Sequence, residues 1–175
     1  MKTIFRYDIA DYLNVSPSGV ETYEVLGVGV ETLDESPGAK KESTVYINQK
    51  TTSTTIVSYD TKFDYECETI ADDPAVMSLH KTGRNHETGV DAERDYVRVD
   101  LYDPVAEKEG TYKARKFRVA NEVSDFKGKG GEKVKVSGAL NAVGDPIFGE
   151  FNVKTKTFTA DSVTVYEGWI IYVYN

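Results

Sequence analysis

The sequence predicts a mainly β protein: a β-sandwich or partial barrel with one short helix at about residues 74–82 and a long extended hairpin. Three observations carry this. The chain holds 12 Tyr and 7 Phe among 175 residues and is rich in Thr and Val, side chains that fit a pleated, half-buried surface. Tyr59 to Glu68 alternates strictly, with Tyr59, Thr61, Phe63, Tyr65 and Cys67 on one side and Asp60, Lys62, Asp64, Glu66 and Glu68 on the other. Period two is the signature of a strand with one buried face. Third, Phe117 to Val153 reads as strand, Gly/Lys turn, strand, Gly-Asp-Pro corner and strand.

Taken in order, residues 3–7 predict a short strand. Residues 8–20 predict a flexible leader ending in a Ser-Pro-Ser-Gly turn. From Glu21 the run is apolar and β-branched, bent at Gly27 and Gly29. Glu35 to Gly38 has turn chemistry. Residues 39–55 combine strand-forming Thr, Val, Tyr and Ile with little to bury. They read either as a disordered loop or as a hairpin, taken to 58, that orders only against another subunit. Asp60 to Asp73 holds six carboxylates and one lysine. A one-residue slip would bury those charges, which sets the strand's register.

Asp72-Asp73-Pro74 opens the helix: Asp caps, Pro suits the first turn, acids suit a helix N-terminus, and Gly83 is its expected stop. Residues 84–94 predict a polar loop. Tyr96 to Tyr102 alternates, with Val97, Val99 and Leu101 on one face and Arg98 and Asp100 on the other. Phe117, Val119 and Val123 form the apolar set of a long strand over 112–126. Val134, Val136 and Leu140 mark its return, and Ile147 to Val153 follows the Gly144-Asp145-Pro146 corner. The predicted organisation is a leader (1–20), a β domain (21–160) and a C-terminal strand or arm (161–175).

The formal net charge is −8, which argues against wrapping nucleic acid, since that requires clustered Lys and Arg. Cys67 has no second cysteine to pair with and reads as a buried, inert thiol. Charges at Arg6, Asp8 and Asp11 interrupt any signal-peptide core, and the apolar Trp169–Tyr174 cluster is too short to span a bilayer. A soluble protein made in a cytoplasm is expected, with no membrane insertion.

No catalytic or cofactor site is predicted, and no metal site. His80 and His86, with Glu87 and Asp91, match no zinc spacing. Asp72 and Asp73 are explained by the helix N-terminus. Gly128, Gly130 and Gly131 stand between two strands, where a turn is needed and no helix follows to hold a phosphate. Trp169 sits in an alternating apolar strand and reads as core or interface in preference to a sugar-stacking platform.

Leu26-Gly27-Val28-Gly29-Val30-Glu31-Thr32-Leu33-Asp34-Glu35-Ser36-Pro37-Gly38 resembles the start of the major tail tube protein of long non-contractile-tailed, siphovirus-type phages of Gram-positive bacteria. The likeness continues through Tyr46-Ile47, Tyr59 to Glu68, Asp72-Asp73 with its helix, and Tyr112 to Phe126. It runs on through Val136-Ser137-Gly138-Ala139-Leu140, Gly144-Asp145-Pro146 and Gly149, to Phe158-Thr159. It covers about residues 21–160 as a pattern of strands, glycines and turns.

The resemblance implies a tail-tube-like β-sandwich flanked by a helix, stacking in rings that are commonly hexameric around a lumen. It implies that 39–58 is the hairpin reaching the adjacent ring, with Lys40, Lys41, Tyr46, Ile47, Asn48, Lys50, Thr52 and Thr54 as assembly residues. It makes Asp60, Asp64, Glu66 and Glu68 candidates for an acidic lumen past which DNA slides. The implied partners are further copies of the chain, a tape measure protein, and tail terminator and distal tail proteins. The implied location is the virion tail, assembled in the host bacterial cytoplasm. Alternatives are a tail terminator, a contractile-tail or secretion tube protein, or a ligand-binding β-sandwich.

Overall fold

The computed structural model describes residues 2–16, 19–161, 163–166 and 169–172. In chain order the strands are β1 (Ile9–Asn14), β2 (Tyr23–Val25), β3 (Val30–Ser36), β4 (Ala39–Thr44), β5 (Ser53–Tyr59), β6 (Lys62–Glu68), β7 (Glu93–Pro104), β8 (Thr111–Lys127), β9 (Lys135–Ala142), β10 (Ile147–Asn152), β11 (Thr157–Ala160), β12 (Val163–Tyr166) and β13 (Trp169–Tyr172). One α-helix, α1 (Pro74–Arg84), lies between β6 and β7.

The 17-residue β8 is the spine. Strand β7 runs antiparallel along one of its edges. The other edge is shared: β10 pairs with Thr111–Lys116 and β9 with Val119–Lys127. A register shift between Val123 and Asp125 bends the β8–β9 pair, as an extra residue in one strand does. The main sheet runs β2-β1-β7-β8-β9-β6-β3, with β11 beyond β10, and curls into a half-barrel. The pairs β4–β5 and β12–β13 are separate two-stranded sheets.

The curl encloses the larger core. Leu13, Leu33, Phe63, Tyr65, Cys67, Tyr96, Phe117, Val119, Val136 and Leu140 line it, and Ala75, Val76 and Leu79 of α1 cover it. Full burial of a large apolar side chain such as Phe63 or Leu140 stabilises by about 1.5–3 kcal/mol. On the opposite face of β1, β7 and β8, a second cluster joins Tyr12, Tyr23, Val97, Val99, Ala114 and Phe151. The Phe151 ring lies 4.5 Å from Tyr12 and 5.7 Å from Tyr23 between centroids.

Helix α1 starts as its residue chemistry dictates. Asp73 Oδ1 accepts from the amides of Ala75 at 2.9 Å and Val76 at 3.0 Å, a cap that stabilises by about 1 kcal/mol. Its end differs from expectation. The helix passes through Gly83 and stops at Arg84. Gly83 serves packing: a Cβ there would lie 2.7 Å from Val123 Cβ.

Other expectations are corrected. Residues 3–7 form no strand; Arg6–Asp8 is a 3-10 turn. The predicted leader supplies β1, inserted between β2 and β7. Its Asp11 and Asn14 are buried because each has partners: Asp11 takes hydrogen bonds from Tyr96 and Arg6, and Asn14 Oδ1 caps the amides of Ser16 and Thr22. Strand β7 is buried on both faces over Tyr96–Val99, so the face that carries Arg98 is internal as well. Tyr59 is exposed, because the extended run is interrupted at Asp60-Thr61 and Tyr59 belongs to β5. Val134 is exposed, because β9 begins after it. Cys67 is fully buried, and burial pushes its thiol up to about 12. The Trp169 side chain lies outside the described residues.

Candidate assembly surface

Among the described residues, strands β4 and β5 make a hairpin that pairs only with itself. Every residue from Pro37 to Asp60 is exposed. Its rungs are held by the antiparallel ladder, by a 3.0 Å hydrogen bond between the Ser43 and Thr54 hydroxyls, and by a turn in which the Gln49 amide donates to the Tyr46 carbonyl. An isolated two-stranded hairpin is marginally stable in water. This one also presents Val45, Tyr46, Ile47, Ile56, Val57 and Tyr59 to solvent, with Ile47 fully exposed.

The hairpin leaves the sheet at Pro37-Gly38. Gly38 has φ +63°, and a Cβ there would overlap the Asp60 carbonyl. The Asp60 amide donates to the Gly38 carbonyl at 3.1 Å, and Lys40 Nζ lies 3.1 Å from Asp60. All eight predicted assembly residues (Lys40, Lys41, Tyr46, Ile47, Asn48, Lys50, Thr52 and Thr54) lie on this one protrusion.

Strand β6 alternates as its sequence predicts: Phe63, Tyr65 and Cys67 are buried, and Asp64, Glu66 and Glu68 are partly exposed. Asp60 stands apart from it at the hairpin base. The acids are not bare. Lys62 lies 2.9 Å from Asp64, Lys135 3.3 Å from Glu66, and Lys133 2.7 Å from Glu68. Lys135 also reaches Glu31 at 2.5 Å. Such exposed pairs add little stability, but they lower the charge of the face.

Two features escape sequence reasoning. One is a buried ionic cluster. Asp11 receives Tyr96 and Arg6, and Arg98 Nε lies 3.8 Å from Asp11 and 3.6 Å from Glu35. Arg115 grips Glu35 with two hydrogen bonds of 2.7 and 3.0 Å. Burial works against the Glu35 charge, but the Arg115 hydrogen bonds and the Arg115 and Arg98 charges outweigh it and hold the carboxyl below its ordinary range.

The other is a groove of about 530 Å³ between the N-terminal segment, the turn before β3 and the first half of β3. Tyr7, Ile9, Val25, Leu26 and Val30 give it apolar walls. Of its lining residues Tyr7 and Val25 are exposed, and the Phe5 ring stacks on Tyr7 with centroids 5.2 Å apart. Their signal is split between two aromatics in the N-terminal segment and the apolar run from Glu21.

Among the described residues, no group of three or more His, Cys, Asp or Glu could hold a metal ion. No helix among them is long and apolar enough to cross a membrane.

No protein-family model matches the chain, and no curated protein matches it in sequence. Solved structures do match in fold. A chain from the tail of an empty GTA particle, solved by helical refinement with C6 symmetry, superposes with a TM-score of 0.55 at 11% identity. The match covers 90% of this chain and 100% of that one. A chain of the anti-feeding prophage baseplate, 6-fold symmetrised, matches with a TM-score of 0.45 at 8% identity over 88% of this chain and 99% of that one. What the GTA tail chain shares with this protein is its fold.

Proposed function

We propose that this protein is a structural subunit of a phage-type tail tube, built by self-association into stacked rings, and not an enzyme. The observation that carries the reading is the β4–β5 hairpin. It is wholly exposed, carries six large apolar side chains and pairs with no other strand among the described residues. Exposed apolar strand surface of this kind is a template for association. The fold shared with a chain of a C6-symmetric tail supports a six-fold ring.

In this reading the hairpin, through Lys40, Lys41, Tyr46, Ile47, Asn48, Lys50, Thr52 and Thr54, reaches the next ring. The face of Asp60, Asp64, Glu66 and Glu68 borders the lumen. On the β6 side five carboxylates (Asp64, Glu66 and Glu68 with Glu31 and Asp34) stand against Lys62, Lys133 and Lys135, and Asp60 pairs with Lys40 at the hairpin base, so phosphates meet a net like charge. DNA is passing cargo, and a tape measure protein, tail terminator and distal tail proteins are the other partners. The virion tail is the location, with assembly in the host bacterial cytoplasm.

Negative-stain microscopy of the purified protein across concentration and salt tests this. Rings or tubes are expected at high concentration. Monomers alone under every condition would sink it.

A further inference from the structure

We propose that Asp11, Glu35, Arg98 and Arg115 form an ionic latch between the two rims of the curled sheet, and that its release lets β3 peel from β6 while β7, β8 and β9 stay folded. The latch does not depend on the tube reading above.

The sheet topology makes β3 the rim that can move. Strands β2 and β3 end the main sheet, so β3 pairs with β6 on one side and with no strand on the other among the described residues. A register shift between Val30 and Thr32 interrupts the start of its ladder. Of its seven residues only Leu33 is buried, whereas β1 near the other rim buries four of six. One-sided pairing and few buried apolar contacts put a segment at the low end of local stability.

Glu35 is what ties this rim down. Arg115 of β8 grips it with hydrogen bonds of 2.7 and 3.0 Å. Arg98 Nε of β7 stands 3.6 Å from Glu35 and 3.8 Å from Asp11 of β1, so one guanidinium faces a carboxylate from each side of the opening. Both guanidinium groups lie over core rings, Arg98 5.7 Å from the Phe63 centroid and Arg115 5.6 Å from that of Phe117. The Arg98 side chain is 6% exposed, and its Nη1 is buried with no hydrogen-bond acceptor among the described residues. A buried cation so placed depends on its carboxylates, and an unmade buried hydrogen bond weakens the closed state.

The other charged and titratable groups here are Arg6 and Tyr96, both bonded to Asp11, and Asp100 with Tyr102, which face Arg115. With Glu35 ionised, Arg6, Arg98 and Arg115 stand against Asp11, Glu35 and Asp100, a net of zero; with Glu35 neutral the cluster is one charge positive. Burial opposes the Glu35 charge, but Arg115 and Arg98 outweigh it and hold the carboxyl below its ordinary range. The latch is therefore closed at neutral pH and is lost as pH falls through that depressed folded value. Strand β3 supplies the groove wall Val30 to Leu33 and runs through Ser36-Pro37 into the outgoing leg of the hairpin. Its peeling widens the groove and frees the base of the hairpin.

Native-state hydrogen exchange of the full chain in rising urea tests the latch. In the wild type at pH 7 the β3 amides should exchange through an opening with about half or less of the urea dependence shown by β8 and β9, since little surface opens. Glu35→Gln should speed β3 exchange roughly tenfold or more. Tyr65→Phe, which removes a hydrogen bond from β6 to Asn121 of β8, should speed β8 and β9 exchange and leave β3 unchanged. Acidification from pH 7 to pH 3, with intrinsic exchange rates divided out, should speed β3 far more in the wild type than in Glu35→Gln. β3 amides that share the urea dependence of β8 and β9, or a Glu35→Gln protein that matches wild type at β3 or keeps its full acid response, overturn the proposal. If Glu35→Gln does not fold, the wild-type urea and acid series decide between the same two outcomes.

Discussion

Tyr65 Oη donates a 2.8 Å hydrogen bond to Asn121 Oδ1, and the Asn121 amide donates in turn to the Leu79 carbonyl at 3.1 Å. This relay joins β6, β8 and α1 through the main core. Burial pushes the Tyr65 hydroxyl well above its ordinary range, so it stays a donor. Tyr65→Phe leaves the Asn121 oxygen buried without its donor. The expected loss is about 1–3 kcal/mol in urea unfolding. An unchanged midpoint would show that the relay is not holding the helix to the sheet.

Gly138 faces Tyr65 across β6–β9, and a Cβ there would overlap the Glu122 carbonyl and lie 2.8 Å from Tyr65 Oη. Gly138→Ala should therefore lower Tm by several degrees, through a cost of about 1–3 kcal/mol for forced backbone movement. Differential scanning calorimetry reads this directly.

Replacement of residues 42–55 by Asn-Gly should leave the domain folded. Lys41 and Ile56 are opposite each other in the ladder, and Asn-Gly suits a two-residue hairpin turn. Every deleted residue is exposed, so stability should change by less than about 1 kcal/mol. Tube growth should stop. Polymers of wild-type length in electron micrographs would remove the hairpin from the assembly contact.

Asp64→Lys with Glu66→Lys should also fold, because both side chains are half-exposed and their ion pairs with Lys62 and Lys135 are surface pairs. The expected change is within about 1 kcal/mol. DNA retention on a heparin-competed column should rise, since the face turns from acidic to basic. Failure to fold would mean that this face is not the solvent face.

The Glu35–Arg115 pair predicts an acid limb to stability. The Glu35 carboxyl is depressed in the folded state. Its contribution is therefore full above the unfolded value and is lost as pH falls through the folded value. Glu35→Gln should lower stability at pH 7 by about 1–3 kcal/mol and by less at pH 3. Equal losses at both pH values in urea titrations would contradict the assignment.

The strand alternation of β6, the cap on α1 and the shortage of buriable residues in 39–58, which left a disordered loop and a hairpin both open, were legible in the sequence, because each is written in near neighbours. Period two needs one buried and one wet face. A cap needs an Asp before a Pro. A segment with little to bury shows its lack of a core in its composition. What tertiary structure alone decided is where polar groups become internal. Asp11 and Asn14 look like leader residues, and Arg98 looks like a surface charge, until Tyr96, Glu35 and the backbone amides around Asn14 are brought to them across the sheet. The same holds for the groove: its walls come from the N-terminal segment, β2 and β3, and only the curl of the sheet makes one trough of them. Burial of charge depends on partners distant in sequence, and the folded arrangement supplies them.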